Sequence, residues 1–226
     1  MHRPTKDLDL LGTTADVEAL KTVFVEIASI PCEPDGVFFD LDSVSAHAIR
    51  EEQTYGGTRV NLTGFIGKAR ILLQVDIGFG DAVTPAPQRV DLPGMIEGIP
   101  AASMGCYNME TSFAEKLEAM ARLGLANSRM KDFFDLAKMI KEGDLSNQTL
   151  TDAIQATFKR RKTDLPGGVP LALTEVFWSD PTVRIRWEAF VKKNTINPPF
   201  DNLGQNCEVI ARTVLLVMQQ NIGAEG

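Results

Sequence analysis

The stretch Lys6-Asp7-Leu8-Asp9-Leu10-Leu11-Gly12, near the start of the chain, decides how the rest is read. In an extended strand residues i and i+2 point to one face, so Asp7 and Asp9 project together. A further acid, Asp76, interrupts the apolar run Ile71-Leu72-Leu73-Gln74-Val75-Asp76-Ile77-Gly78. A third carboxylate on a neighbouring strand completes a cage of hard oxygen ligands of the kind that holds Mg²⁺. Such an ion orients a phosphoryl group for in-line attack, which is the chemistry of nucleotidyl transfer. The plainer reading of Asp7 and Asp9 is two solvated acids on a strand edge, because Asp-x-Asp is a common pattern. Asp76 weighs against it. Leu73, Val75 and Ile77 share one face of its strand, and Leu72, Gln74 and Asp76 the other. A carboxylate there is costly to bury unless it is paired or bound to a metal, or unless the strand emerges at an open sheet face. Asp81, after Gly80, reads as a turn residue.

The 226 residues are 44% hydrophobic and 23% charged, which suits one large domain or two small ones. The net charge of −7 argues against indiscriminate coating of nucleic acid and leaves room for a local basic groove. Cys32, Cys106 and Cys207 form no Cys-x-x-Cys pair, so neither structural zinc nor a disulfide framework is expected, and a reducing cytoplasm is the expected location. No stretch reads as a signal peptide or a membrane span.

Hydrophobic spacing divides the chain into an α+β part, residues 1–100, and a helical part, residues 101–226. The first part reads as a strand over 6–12, a helix over 17–30 capped by Thr14 or Asp16, a strand over 36–41, a turn over 51–57, and a hairpin of 58–64 with 69–79 turning near Gly67-Lys68. The Pro-rich stretch 84–93 is expected to be extended and to leave the sheet. Helices are expected over 110–123, 128–141, 147–161, 181–192 and 206–220, with Gly124 and Gly143 as stops.

Lys116 borders the apolar stripe Phe113, Leu117, Met120 and Ala121 of the first of these helices. It is either a snorkelling lysine or a cation aimed at a triphosphate. On the next helix, Lys131 and Asp135 at i, i+4 fit an ordinary surface pair worth about 0.2–0.5 kcal/mol, and Asp132 lies in a first turn, where the helix dipole favours acids. Lys159-Arg160-Arg161-Lys162 is the densest basic run, read as a solvated face by default and otherwise as the best candidate for touching RNA phosphates. Trp178 and Trp187 read as core anchors. His2 and His47 are too isolated to suggest a catalytic triad or a zinc site.

Taken in order, Arg3-Pro4-Thr5-Lys6-Asp7-Leu8-Asp9-Leu10-Leu11, Leu73-Gln74-Val75-Asp76-Ile77-Gly78-Phe79-Gly80-Asp81, Ala114-Glu115-Lys116-Leu117-Glu118-Ala119 and Ser128-Arg129-Met130-Lys131-Asp132-Phe133-Phe134-Asp135-Leu136 resemble the AbiEii/AbiGii toxins of bacterial abortive-infection systems. The resemblance implies a DNA-polymerase-β-like nucleotidyltransferase fold with a helical C-terminal part completing the cleft. It implies Asp7, Asp9 and Asp76 as ligands of Mg²⁺, Lys116 at the nucleotide phosphates, and Asp132 as essential to the site. It further implies Thr5, Lys6, Lys131 and Asp135 in nucleotide binding, with Lys131 standing where an arginine is usual. The implied partners are an NTP, an acceptor that is RNA (a tRNA end) or protein, and a cognate antitoxin; no membrane is implied. The family's glycine-rich segment would precede Asp7, and six residues stand there, so the reading expects an N-terminally shortened fold. Three readings follow: a toxin-type nucleotidyltransferase, a non-catalytic relative that binds an antitoxin or self-associates, and a nuclease using the same carboxylates with water as nucleophile.

Overall fold

The structure, a computed structural model, describes residues 7–31, 36–49, 56–92 and 101–222. The sequence-predicted Thr5 and Lys6, and most of the expected turn over 51–57, lie outside the described residues. The chain forms two compact units, residues 7–81 and residues 82–92 with 101–222.

The first unit is a sheet with a helix on one face. Strand β1 (Asp7–Gly12) is followed by helix α1 (Val17–Ser29), then β2 (Val37–Ile49), β3 (Gly57–Ile66) and β4 (Ala69–Phe79). The strand order is β1-β4-β3-β2, with β1 parallel to β4 and the other pairs antiparallel. Asp16 starts α1 by accepting from the backbone N–H groups of Glu18 and Ala19, satisfying donors that the first turn leaves without partners. Gly67, at φ +57°, makes the two-residue β3–β4 turn, a conformation that costs glycine little. Alternation does the rest. Val60, Leu62, Val75 and Ile77 form one buried face with Val44 of β2 and Leu20 of α1, joined by Phe24, Val25 and Ala28. The opposite face carries Asp9, Arg59, Asn61, Gln74 and Asp76 alongside the apolar Leu11, Phe65 and Leu72.

Strand β2 runs well past the expected residue 41 because an irregularity between Asp40 and Ser45 lets it bend and continue. The Ser43 hydroxyl holds that bend, donating to the Asp40 carbonyl at 2.6 Å and accepting from the Thr63 N–H at 2.8 Å.

The second unit opens with a two-stranded ribbon. The Pro-rich stretch does leave the main sheet, but its end, β5 (Gln88–Leu92), pairs antiparallel with β6 (Ala102–Cys106). Nothing in Ala-Ser-Met-Gly-Cys favours a strand by itself; β6 is a strand through its partner. Helices α2 (Met109–Leu123), α3 (Met130–Glu142), α4 (Asn147–Arg161), α5 (Glu175–Trp178), α6 (Pro181–Asn194) and α7 (Leu203–Ile222) follow. Asn108, Ser146 and Asp180 cap α2, α4 and α6. Phe113, Leu117 and Met120 of α2, Phe133 and Leu136 of α3, and Ile210 and Val214 of α7 are wholly buried together, and the Phe133 and Phe177 rings stack at 5.3 Å. Trp187 is buried in this core, with Trp178 packed against it. Among the described residues no helix is long and apolar enough to cross a membrane.

Candidate active site

The polar face of the sheet carries a row of charged side chains set by register. Asp9 on β1 pairs with Asp76 on β4, Asp76 with Arg59 on β3, and Arg59 with His47 on β2. Asp76 is bound side-on: Arg59 Nε donates to Oδ1 and Nη2 to Oδ2, each at 2.7 Å. The pair is partly sheltered, with Arg59 35% and Asp76 22% exposed. Asp9 is exposed. Asp7 pairs in register with Gln74, two positions before Asp9. Asp81, in the loop after β4, lies with its Oδ2 3.1 Å from where a Cβ on Gly78 would stand. Any side chain at position 78 would meet that carboxylate.

The second unit carries its own charged cluster. The Lys116 ammonium on α2 lies 3.2 Å from Asp132 Oδ1 and 3.5 Å from Asp135 Oδ2, both on α3. Arg129, just before α3, donates from Nε to Asp132 Oδ2 at 2.6 Å. Asp132 has no solvent exposure, so both of its oxygens face cations, which is the condition for burying a carboxylate at all. Its place in the first turn of α3 adds the helix dipole. Asn127, itself buried, accepts from the Arg129 backbone N–H at 2.8 Å and fixes the approach of that residue. Three sequence-predicted residues, Lys116, Asp132 and Asp135, are thus brought together. Lys131 is exposed. The cation across from Asp135 is Lys116, where local spacing pointed to Lys131. The guanidinium at Asp132 comes from Arg129.

The basic run is divided. Lys159, Arg160 and Lys162 are exposed, but Arg161 donates to Glu118 Oε2 at 3.0 Å. Glu118, fully buried, also accepts from Arg122 Nε and from the Thr163 hydroxyl. Arg161 therefore ties α4 to α2 and is not available to a nucleic acid.

Sequence reasoning missed Arg59 and Arg129. The signal for Arg59 was present: a two-residue turn at Gly67-Lys68 pairs Ile66 with Ala69, and counting back along both strands sets Arg59 opposite Asp76. Arg129 lies three residues before Asp132, within reach on one helical turn.

Residues 1–206 match the family model of the AbiEii nucleotidyl transferase toxins of type IV toxin–antitoxin systems. The chain belongs to this family. No curated protein matches it. Two solved Helicobacter pylori structures are similar. One, provisionally assigned as a nucleotidyltransferase, is 18% identical, with a TM-score of 0.50 over 99% of this chain and 82% of that one. JHP933 is 17% identical, with a TM-score of 0.48 over 99% of this chain and 79% of that one. The first of these likenesses supports a shared mixed α+β fold. AbiEii proteins are nucleotidyl transferase toxins, so membership brings a nucleotide substrate and a cognate antitoxin in general terms.

Carboxylate oxygens in adjacent register, Asp9 and Asp76, are the donor type a hard divalent cation takes. Among the described residues, however, no group of three metal-ligating side chains is assembled, and both Asp76 oxygens are engaged by Arg59. The donor chemistry suits Mg²⁺, while the Arg59 fork occupies the same Asp76 oxygens that an ion would use.

Proposed function

We propose that this AbiEii chain is a nucleotidyltransferase with a polymerase-β-like core that moves a nucleotidyl group from an NTP to an acceptor hydroxyl, on an RNA 3′ end or a protein. The observation that supports the reading is the register of Asp9 beside Asp76 on the charged face of the sheet. In this reading Asp7, Asp9 and Asp76 would hold Mg²⁺, which supplies charge neutralisation and alignment at the phosphates. The acceptor oxygen forms a bond to the α-phosphorus as the bond to the departing pyrophosphate breaks. One of the aspartates takes the acceptor hydroxyl's proton. Lys116, held by Asp132 and Asp135, neutralises charge on the phosphates, with Arg129 keeping Asp132 in place. Nucleotide contacts by Thr5, Lys6 and Lys131 belong to the same proposal, as does a cytoplasmic location.

Calorimetric titration of each of the four NTPs, with Mg²⁺, into the wild-type chain and into Asp9→Ala tests it. Binding by the wild type and its loss in Asp9→Ala is the expected result. Equal binding by both proteins would remove Asp9 from the site, and no binding by either would favour the non-catalytic reading. That second reading has one observation behind it. Ile27, Ile30, Phe38 and Leu41 are exposed apolar side chains lining an open groove between the end of α1 and the edge strand β2, as a protein-binding surface would be.

A further inference from the structure

We infer that Arg59 is the resident counter-ion of Asp76, and that a divalent cation at Asp9 and Asp76 competes with the Arg59 fork for the Asp76 oxygens. The inference rests on the reading of Asp9 and Asp76 as metal ligands. A carboxylate offers about four lone-pair sites over its two oxygens. The side-on guanidinium uses one on each oxygen, at 2.7 Å, the short end of the range for charge-assisted bonds. Register then limits where an ion can enter. Asp76 has Arg59 on one side, on β3, and Asp9 on the other, on β1. An ion that touches both aspartates enters beside a fixed positive charge and draws on an oxygen already engaged. The pair is partly sheltered from water, so repulsion between that ion and the guanidinium is screened less than it would be on an open surface.

The consequence is a metal site that keeps its carboxylate neutralised without metal. Asp76 is half-buried in an apolar strand and would be costly there alone; Arg59 offsets that cost. The same fork suits phosphate as well as carboxylate. A triphosphate reaching this face offers the guanidinium a second partner and frees Asp76 for the ion.

The test is Mn²⁺ binding to the nucleotide-free chain, followed by the electron paramagnetic resonance signal of free Mn²⁺, for wild type, Arg59→Gln, Arg59→Lys and Asp76→Asn. Arg59→Gln is expected to bind Mn²⁺ at least about tenfold more tightly than wild type, as loss of a neighbouring like charge implies. The double change with Asp76→Asn is expected to abolish the gain. Arg59→Lys, which keeps the charge but cannot form the fork, is expected to lie between, and it carries the test should Arg59→Gln fail to give a folded far-UV circular dichroism spectrum. Unchanged or weaker Mn²⁺ binding in the Arg59 variants, with binding still lost in Asp76→Asn, would overturn the inference and leave the metal reading standing. No Mn²⁺ binding by any form would overturn both. A gain that survives Asp76→Asn would place the ion elsewhere and overturn the inference.

Discussion

Asp132 bears its charge with no exposure to solvent, and it does so because Lys116 and Arg129 each take one of its oxygens. Asp132→Asn keeps the volume and leaves two cations facing a neutral amide. Breaking a buried pair in this way is expected to cost about 3 kcal/mol, read as a lower urea midpoint at unchanged slope; a wild-type midpoint would contradict it. Cys207 gives a second expectation. Burial, with the neighbouring charge of Glu208, pushes its thiol far above the usual cysteine range, so the reactive thiolate is scarce at neutral pH. Under native conditions a maleimide should leave Cys207 unmodified by mass spectrometry, and labelling at the rate of a free thiol would count against the packing around α7. These residues also show what the sequence could reveal. Lys116, Asp132 and Asp135 were identifiable one by one, but their partnership was not. The i, i+4 rule favours the cation nearest in sequence, Lys131, while the packing of α2 near α3 supplies Lys116.

Elements with their own local signals were legible to within a residue or two. Asp16 before an apolar helical stripe marks α1, and a two-residue Gly-Lys turn between alternating strands marks the β3–β4 hairpin. Asp16→Ala removes the acceptor of two first-turn N–H groups and is expected to cost about 1 kcal/mol, seen as a fall of about 4–8 °C in the melting of the sheet unit. An unchanged melt would mean that α1 is held by its packing on the sheet alone. Strand β6 and the long continuation of β2 were not legible. The first depends on a partner, β5, and the second on a bend held by Ser43 reaching Thr63 on another strand. Neither cause lies in a local window of sequence.

Each of the two units has its own core, one of sheet and helix and one of helices, and the residues proposed for the reaction are divided between them. The carboxylates belong to the sheet unit and Lys116 to the helical one. The overall α+β character and the family were readable from the order of short motifs, because each motif is a charged residue set against an apolar strand or helix. Charge balance within those motifs was not, since Arg59 and Arg161 are committed by tertiary contacts to Asp76 and Glu118. The basic run is accordingly smaller than its sequence suggests. If it contacts RNA, replacing Lys159, Arg160 and Lys162 together by Gln is expected to weaken acceptor binding and flatten its salt dependence by about three counterions' worth of slope; an unchanged slope would remove the run from the acceptor site.

The most direct test of the account is transfer of label from each of the four α-³²P NTPs, with Mg²⁺, to a total tRNA and protein extract, using wild type, Asp9→Ala and Lys116→Ala. The account predicts a labelled acceptor with wild type and loss of at least about a hundredfold in either variant, the scale for removing one group that stabilises a transition state. Full transfer by Asp9→Ala, or nucleotide hydrolysis by wild type with no labelled acceptor, would contradict it.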